Sequence, residues 1–216
     1  NSDIYEINDI GNLLAGNTYP GRGIVVGRNK AFYFIMGRSE NSRNRIFVET
    51  DDGIKTEAFD PSKMKDPSLI IYHPVRKTDL GLIVTNGDQT DTIADTGCFK
   101  KALMTREYEP DEPNFTPRIS AVLYPEGGFD ISILKHKNGT CLREFFCYES
   151  CDEDKGYFIS TYEGDGNPLP SFSGEPVEVD MPSAEEVWAA LNSDNKVSLY
   201  AFDNGSVKLF NKNLGD

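Results

Sequence analysis

From Gly23 to Phe210 the chain runs as short apolar segments, each closed by turn-forming residues, and this spacing constrains the fold more than any other feature. GIVVG (23–27) and AFYFIM (31–36) flank a turn-forming RNK and read as a hairpin. IFVET (46–50), LIIYH (69–73) and LGLIVT (80–85) follow as strands. ISAVLY, FDISILK, CLREFFCY and YFISTYE continue the pattern, with a plain period of two at Phe129, Ile131 and Ile133. VSLYAF and SVKLF close the chain as a hairpin around Asn204-Gly205. Three stretches break this rhythm as helices. The first is 3–15, with Ile7, Ile10 and Leu14 on one face and Gly16 as a stop. The second covers about 95–107, with Cys98, Phe99, Ala102 and Leu103 as its apolar stripe. The third starts at Ser183, where Ser183 and Glu186 form a capping box and Val187, Trp188 and Leu191 face inward. That makes roughly nine to eleven strands and two or three helices without βαβ alternation, which predicts an α+β sandwich, two sheets with helices outside. The segment 164–182, rich in Gly, Pro and Asp, has the composition of a linker, but too little chain follows it for a second domain. One domain over 1–216 is expected.

Charge narrows the partners. A net charge of −13 repels nucleic acid and anionic lipid, so neither is expected to bind. No stretch approaches the ~20 apolar residues of a membrane span, and no signal peptide is visible, so a cytoplasmic protein is expected. Against the acidic whole, Arg22, Arg28, Lys30, Arg38, Arg43 and Arg45 face only Glu40 between residues 22 and 45. This stretch is either a solvated basic face or an anion site for a small phosphate or carboxylate. Cys98, Cys141, Cys147 and Cys151 form no CxxC pair, and only His73 and His136 could join them as metal ligands. Buried free thiols are expected, with no metal and no cofactor.

The densest polar run is TNGDQTDTIAD, 85–95, between a strand and a helix. Thr92 with Asp95 is close to a capping box, and Asn86-Gly87 makes a tight turn. A cap leaves Gln89, Thr90 and Asp91 unexplained, and a helix start also offers backbone N–H groups to a ligand. Cap and binding site both stand. In YEPDEPNFTPR, 108–118, Glu109, Asp111 and Glu112 lie beside Tyr108. They form either an acidic surface loop or a desolvated general base, with Arg118 near enough to neutralise one of them. Gly21 and Gly23 of YPGRG permit positive φ or close approach around Arg22. In LIIYHPVR, a regular strand would turn Tyr72 and His73 to opposite faces. No nucleophile elbow, P-loop, GxGxxG or HExxH is present, and no N-terminal Cys, Ser or Thr nucleophile is expected unless processing exposes one.

Taken in order, YPGRGIVVGRN, GRSENSRNR, LIIYHPVR, TNGDQTDTIAD, YEPDEPNFTPRISA and FISTYE resemble the archaeal-type IMP cyclohydrolase family over about residues 19–163. The resemblance implies a four-layer αββα sandwich like that of N-terminal nucleophile hydrolases, without their self-processing nucleophile. It implies closure of 5-formamidoimidazole-4-carboxamide ribonucleotide to IMP with loss of water, the last step of purine synthesis, without metal or cofactor. Tyr72 and Glu109 would move protons. Arg45, with Arg22 and Arg38, would bind the 5′-phosphate or the oxyanion. Asn86, Gln89, Thr90, Asp91 and Thr92 would hydrogen-bond the substrate, and Arg118 would hold Glu109 or Asp111 ionised. The family carries a histidine where this chain has Gln89, and a shorter arginine loop than GRSENSRNR. A purine-nucleotide-binding relative without turnover is the alternative reading. Residues 1–18 read as a helical extension placed to shape a contact between copies of the chain.

Overall fold

The structure, a computed structural model, describes residues 9–216. Thirteen strands and five α-helices lie among the described residues. Numbered in chain order, the first sheet is built from β1 (Arg22–Gly27), β2 (Lys30–Met36), β10 (Lys155–Ser160), β11 (Val177–Asp180), β12 (Lys196–Asp203) and β13 (Ser206–Asn211), in the order β11-β10-β1-β2-β12-β13. The second contains β3 (Arg45–Glu49), β4 (Gly53–Ala58), β5 (Val75–Thr78), β6 (Gly81–Thr85), β7 (Arg118–Leu123), β8 (Phe129–Lys137) and β9 (Thr140–Tyr148), paired in that order. Every pairing is antiparallel. The molecule is therefore α+β with two antiparallel sheets, as the strand rhythm predicts.

Alternation places the core. Ile24, Val26, Ala31, Tyr33 and Ile35 of the first sheet meet Phe47, Ile54, Val84, Ile119, Ala121, Ile131 and Ile133 of the second in one buried cluster. The intervening positions of the first sheet, Val25, Phe32, Phe34 and Leu199, pack against α1 (Ile10–Ala15) and α5 (Ala184–Ala190) through Ile10, Leu14, Val187 and Trp188. Those of the second, Ile83, Val122 and Leu134, pack against α3 (Gln89–Thr96) and α4 (Phe99–Leu103). A side-chain period of two, buried on both faces, is the physical reason these strands read as continuous apolar runs.

Several expectations need correction. LIIYH is not a strand: Ile70 and Ile71 donate backbone N–H bonds to Pro67 O, forming a turn between two prolines that cannot continue a ladder. The helix expected over 95–107 is two helices broken at Gly97, which caps α3 in the left-handed region at φ 70°. The polar run itself is the first of them, so Thr92 and Asp95 lie inside α3 rather than capping it. Cys98 precedes α4 and is exposed, as is Cys147; Cys141 and Cys151 are half-buried, and all four are free. The short, charged β4, β5 and β11 escaped notice because only alternate residues are apolar or the apolar run is too brief. Of the helix expected at 3–15, Ile7 lies outside the described residues, and the chain is helical from Ile10 to Ala15. Ser183 caps α5 as expected, accepting from Glu186 N at 3.1 Å.

The two sheets are also joined at one edge by a side chain. Asn211, 4% exposed on β13, accepts from Phe47 N at 2.8 Å and donates to Phe47 O at 3.1 Å. It thereby satisfies both backbone groups of a buried residue on the edge strand β3. Asn211→Ala leaves both unpaired, and each such group costs about 1–3 kcal/mol. Urea denaturation should show a loss of about 2–6 kcal/mol with m unchanged.

Candidate active site

Inward positions of β1 and β2 include Ile24 and Tyr33, and of β3 Phe47. The same period turns Arg22 and Arg45, at the starts of β1 and β3, into the inter-sheet space. Arg22 is placed by two glycines. Gly21 has φ 76°, and a Cβ there would lie 2.4 Å from Thr161 Oγ1; one on Gly23 would meet the Phe34 ring at 2.3 Å. Tyr72 closes the irregular segment between β4 and β5, where its N–H donates to Thr56 Oγ1 at 2.9 Å and its carbonyl accepts from Thr56 N. Glu109 comes from the segment between α4 and β7.

These residues meet in a buried polar cluster. Arg22 Nη2 lies 3.5 Å from Glu109 Oε2, and the Tyr33 and Tyr72 hydroxyls are 2.5 Å apart. Tyr33 in turn stacks on Phe47 with ring centres 5.8 Å apart. Arg45 is fully buried; its Nε donates to Ser42 O at 2.7 Å, but Nη1 and Nη2 have no partner. Arg22 Nε and Glu109 Oε1 are likewise buried and unpartnered. A buried polar group without a partner costs about 1–3 kcal/mol, more when charged. Four such atoms in one buried cluster are an arrangement that an anionic, hydrogen-bonding ligand would complete.

Electrostatics follow from burial. Desolvation pushes the Glu109 carboxyl up to about 7, against the opposing pull of Arg22, Arg118 and Arg45. Desolvation works against the Arg22 charge, but Glu109 and the hydroxyls of Tyr162, Tyr33 and Tyr72 hold it above its usual range. Arg45 has no carboxylate partner, and burial lowers it. Burial raises Tyr33 and Tyr72, so both hydroxyls are neutral donors near pH 7. A carboxyl that titrates near neutrality beside neutral phenols and a guanidinium can take up and return a proton.

The remaining expected residues lie elsewhere. Arg118 sits on the face of β7 turned toward α3, donating to Glu107 O at 2.7 Å, Gln89 Oε1 at 3.1 Å and Asp88 Oδ1 at 3.2 Å. It acts on Glu109 through space, without a hydrogen bond. Gln89 is fully buried and gives its amide to Asn86 Oδ1, Ile119 O and Ser120 Oγ. Asn86 accepts from Ile119 N and donates to Pro117 O. Thr90 bonds Thr85 Oγ1 and Gly87 O. Asp91 pairs with Arg76 at 3.0 Å, and Thr92 accepts from Arg106. Asp111 is tied to Thr116. Arg38 is partly exposed, paired with Asp165 at 2.6 Å and 5.3 Å from the centre of the Tyr19 ring. Sequence reasoning missed Tyr33, although its place on the inward face of AFYFIM beside Arg22 could have marked it. It also left Thr116 and Tyr162 without a role. Among the described residues, no three His, Cys, Asp or Glu side chains come together to hold a metal ion. No helix among them is long and apolar enough to cross a membrane.

The chain is similar to proteins of one family. An IMP cyclohydrolase of Methanococcus aeolicus is 32% identical over 158 residues, covering 67% of this chain and 74% of that protein. One of Methanocaldococcus jannaschii is 28% identical over 174 residues, covering 74% of this chain and 82% of its own. A Halobacterium salinarum IMP cyclohydrolase is 29% identical over 125 residues, and there the chain spans only 63% of the relative's length. The family described as IMP cyclohydrolase-like protein matches residues 19–205, nearly all of the described chain. The chain belongs to the IMP cyclohydrolase-like protein family.

Proposed function

We propose that the inter-sheet cluster closes 5-formamidoimidazole-4-carboxamide ribonucleotide to IMP, and that the two sheets with a helix pair outside each form the αββα sandwich of N-terminal nucleophile hydrolases. The observation that carries the functional reading is Glu109: a buried carboxyl titrating near 7, facing Arg22 and sharing its space with the unpartnered Arg45 guanidinium. The layered apolar clusters support the fold reading.

In this reading the carboxamide nitrogen attacks the formyl carbon of the same molecule, so the protein supplies orientation, proton transfer and charge stabilisation. The Arg45 N–H groups and the Tyr72 hydroxyl meet the formyl oxygen as negative charge builds on it. Glu109 accepts the amide proton and returns it to the oxyanion, giving the carbinolamine hydroxyl. Glu109 then takes the formamido N–H proton and passes it to that hydroxyl, which departs as water and leaves the C=N bond of IMP. Tyr33 fixes the Tyr72 hydroxyl, and Arg38 meets the 5′-phosphate. Asn86, Gln89, Thr90, Asp91 and Thr92 act as scaffold, because their polar atoms bond one another, Arg76, Arg106 and the β7 backbone. Gln89 therefore replaces a histidine in the scaffold rather than among the proton-transfer groups, which favours turnover over a silent nucleotide-binding relative.

A spectrophotometric assay of the purified protein with the formamido ribonucleotide tests this reading. Ring closure well above a no-enzyme blank is expected. Tight IMP binding without turnover would instead make the protein a silent relative. Glu109→Gln should lower kcat by about 10²–10⁴ while IMP affinity changes little. It should also remove the ionisation near pH 7 from the rate profile.

The same group makes stability depend on pH. Its folded value, about 7, lies above the ordinary 4.5, so its contribution is full below pH 4.5 and is lost as pH rises to about 7. The wild type should lose about 3 kcal/mol relative to Glu109→Gln across that window in urea titrations. The two arginines should separate kinetically. Arg45→Ala should lower kcat by roughly 10² or more. Arg38→Ala should raise KM by roughly tenfold at nearly constant kcat.

A further inference from the structure

Glu109 sits on a segment with no regular secondary structure, yet its side chain must hold a fixed place between two sheets. The hydrogen bonds around it explain how. Glu109 N donates to Thr116 O at 2.9 Å, and Thr116 N donates to Asp111 Oδ1 at 2.6 Å. Asn114 N and Phe115 N close on Asp111 O at 3.1 and 3.2 Å. The Thr116 hydroxyl bonds both Asp111 Oδ2 and the Tyr162 hydroxyl.

The donor direction in this last chain is forced. An aspartate carboxylate only accepts, and threonine has one hydroxyl proton, which goes to Asp111. The Tyr162 hydroxyl therefore donates to Thr116 Oγ1. Tyr162 belongs to the opposite sheet's side of the molecule. It follows β10 and is held by Tyr162 N to Pro20 O at 3.1 Å, by Asn17 Nδ2 to its carbonyl at 2.9 Å, and by stacking on Tyr19 with centres 6.0 Å apart. Its ring fills the space above Gly21, where a Cβ would lie 2.6 Å from it. Gly21 precedes Arg22, the ion-pair partner of Glu109. One side chain thus touches the supports of both members of the pair.

We infer that Tyr162, Thr116 and Asp111 form a clamp across the two sheets that positions Glu109 against Arg22 and keeps it out of water. The inference rests on the proton-transfer role proposed for Glu109. Asp111 accordingly serves the loop rather than the substrate, since both its carboxylate oxygens are engaged. The charged and titratable groups acting on Glu109 are Arg22 from β1, Arg45 from β3, Arg118 from β7, Asp111 from its own segment, and the Tyr72 and Tyr162 hydroxyls. Release of the clamp leaves the three arginines, Asp111 and Tyr72 present but admits water to the carboxyl, so its titration falls toward the ordinary range.

The test is the titration of Glu109 itself, followed by NMR of protein carrying ¹³C-labelled glutamate, with the resonance assigned by its absence in Glu109→Gln. Tyr162→Phe keeps the ring and removes only the hydroxyl. Thr116→Val removes the middle link, and Thr116→Ser restores it. Tyr162→Phe and Thr116→Val should move the Glu109 midpoint down by one pH unit or more, a shift of about tenfold in its ionisation constant. They should also lower kcat by roughly tenfold with KM changed little, while Thr116→Ser behaves as wild type. An unchanged Glu109 midpoint in both variants would overturn the clamp. The titration needs no turnover, so a wild type without ring-closing activity would refute the functional reading alone and leave the clamp to be judged by the midpoints.

Discussion

Two guanidinium groups, those of Arg22 and Arg45, are held at the end of the inter-sheet core, largely out of water. Desolvating such a charge costs several kcal/mol unless a partner of opposite charge and further hydrogen bonds compensate it. Arg22 receives Glu109 and a surround of tyrosine hydroxyls. Arg45 receives one backbone carbonyl and keeps two N–H nitrogens without partners. The fold tolerates this because the surrounding core is extensive, with Tyr33 and Phe47 stacked beside the cluster and Asn211 tying the sheet edges together. An incomplete set of hydrogen bonds in an otherwise well-satisfied interior is characteristic of a site whose last partners come with a ligand.

The polar run TNGDQTDTIAD resolves differently. Its side chains form a corner in which β6, the start of α3 and the start of β7 are bound together, and Arg118 spans Gln89, Asp88 and the carbonyl of Glu107. That corner fixes where β7 begins, and hence where the segment carrying Glu109 must rejoin the sheet. Short polar side chains are dense here because three backbone segments converge on the outer face of a sheet and leave groups that no ladder can satisfy.

Much of this was legible in the sequence. The antiparallel sandwich follows from the alternation in FDISILK and its neighbours, and the cap at Ser183 from its spacing to Glu186. Glu109 and Arg22 stood out by residue type and neighbourhood, Arg45 and Tyr72 only through the family resemblance, and the structure brings those four together. LIIYH did not read correctly because half-buried apolar residues in a turn carry the same letters as a strand. The roles of Asn86 and Gln89 were not readable either: an amide bonded to β7 and an amide facing a ligand are identical in sequence. Only the parity of β7, which turns Arg118 toward α3 while Ile119 faces the other sheet, separates the two. The link between Tyr162 and Thr116, 46 residues apart, depends on two sheets meeting, which no local pattern records.

In the proposed reading the purine ring binds between the sheets, at Arg45, and a crystal structure of the protein with IMP is the decisive measurement. The IMP ring is expected between the sheets, hydrogen-bonded to the Arg45 Nη groups and beside Glu109 and Tyr72, with its phosphate toward Arg38. IMP seated instead on the outer face of the second sheet, against Gln89 and the start of α3, would contradict it.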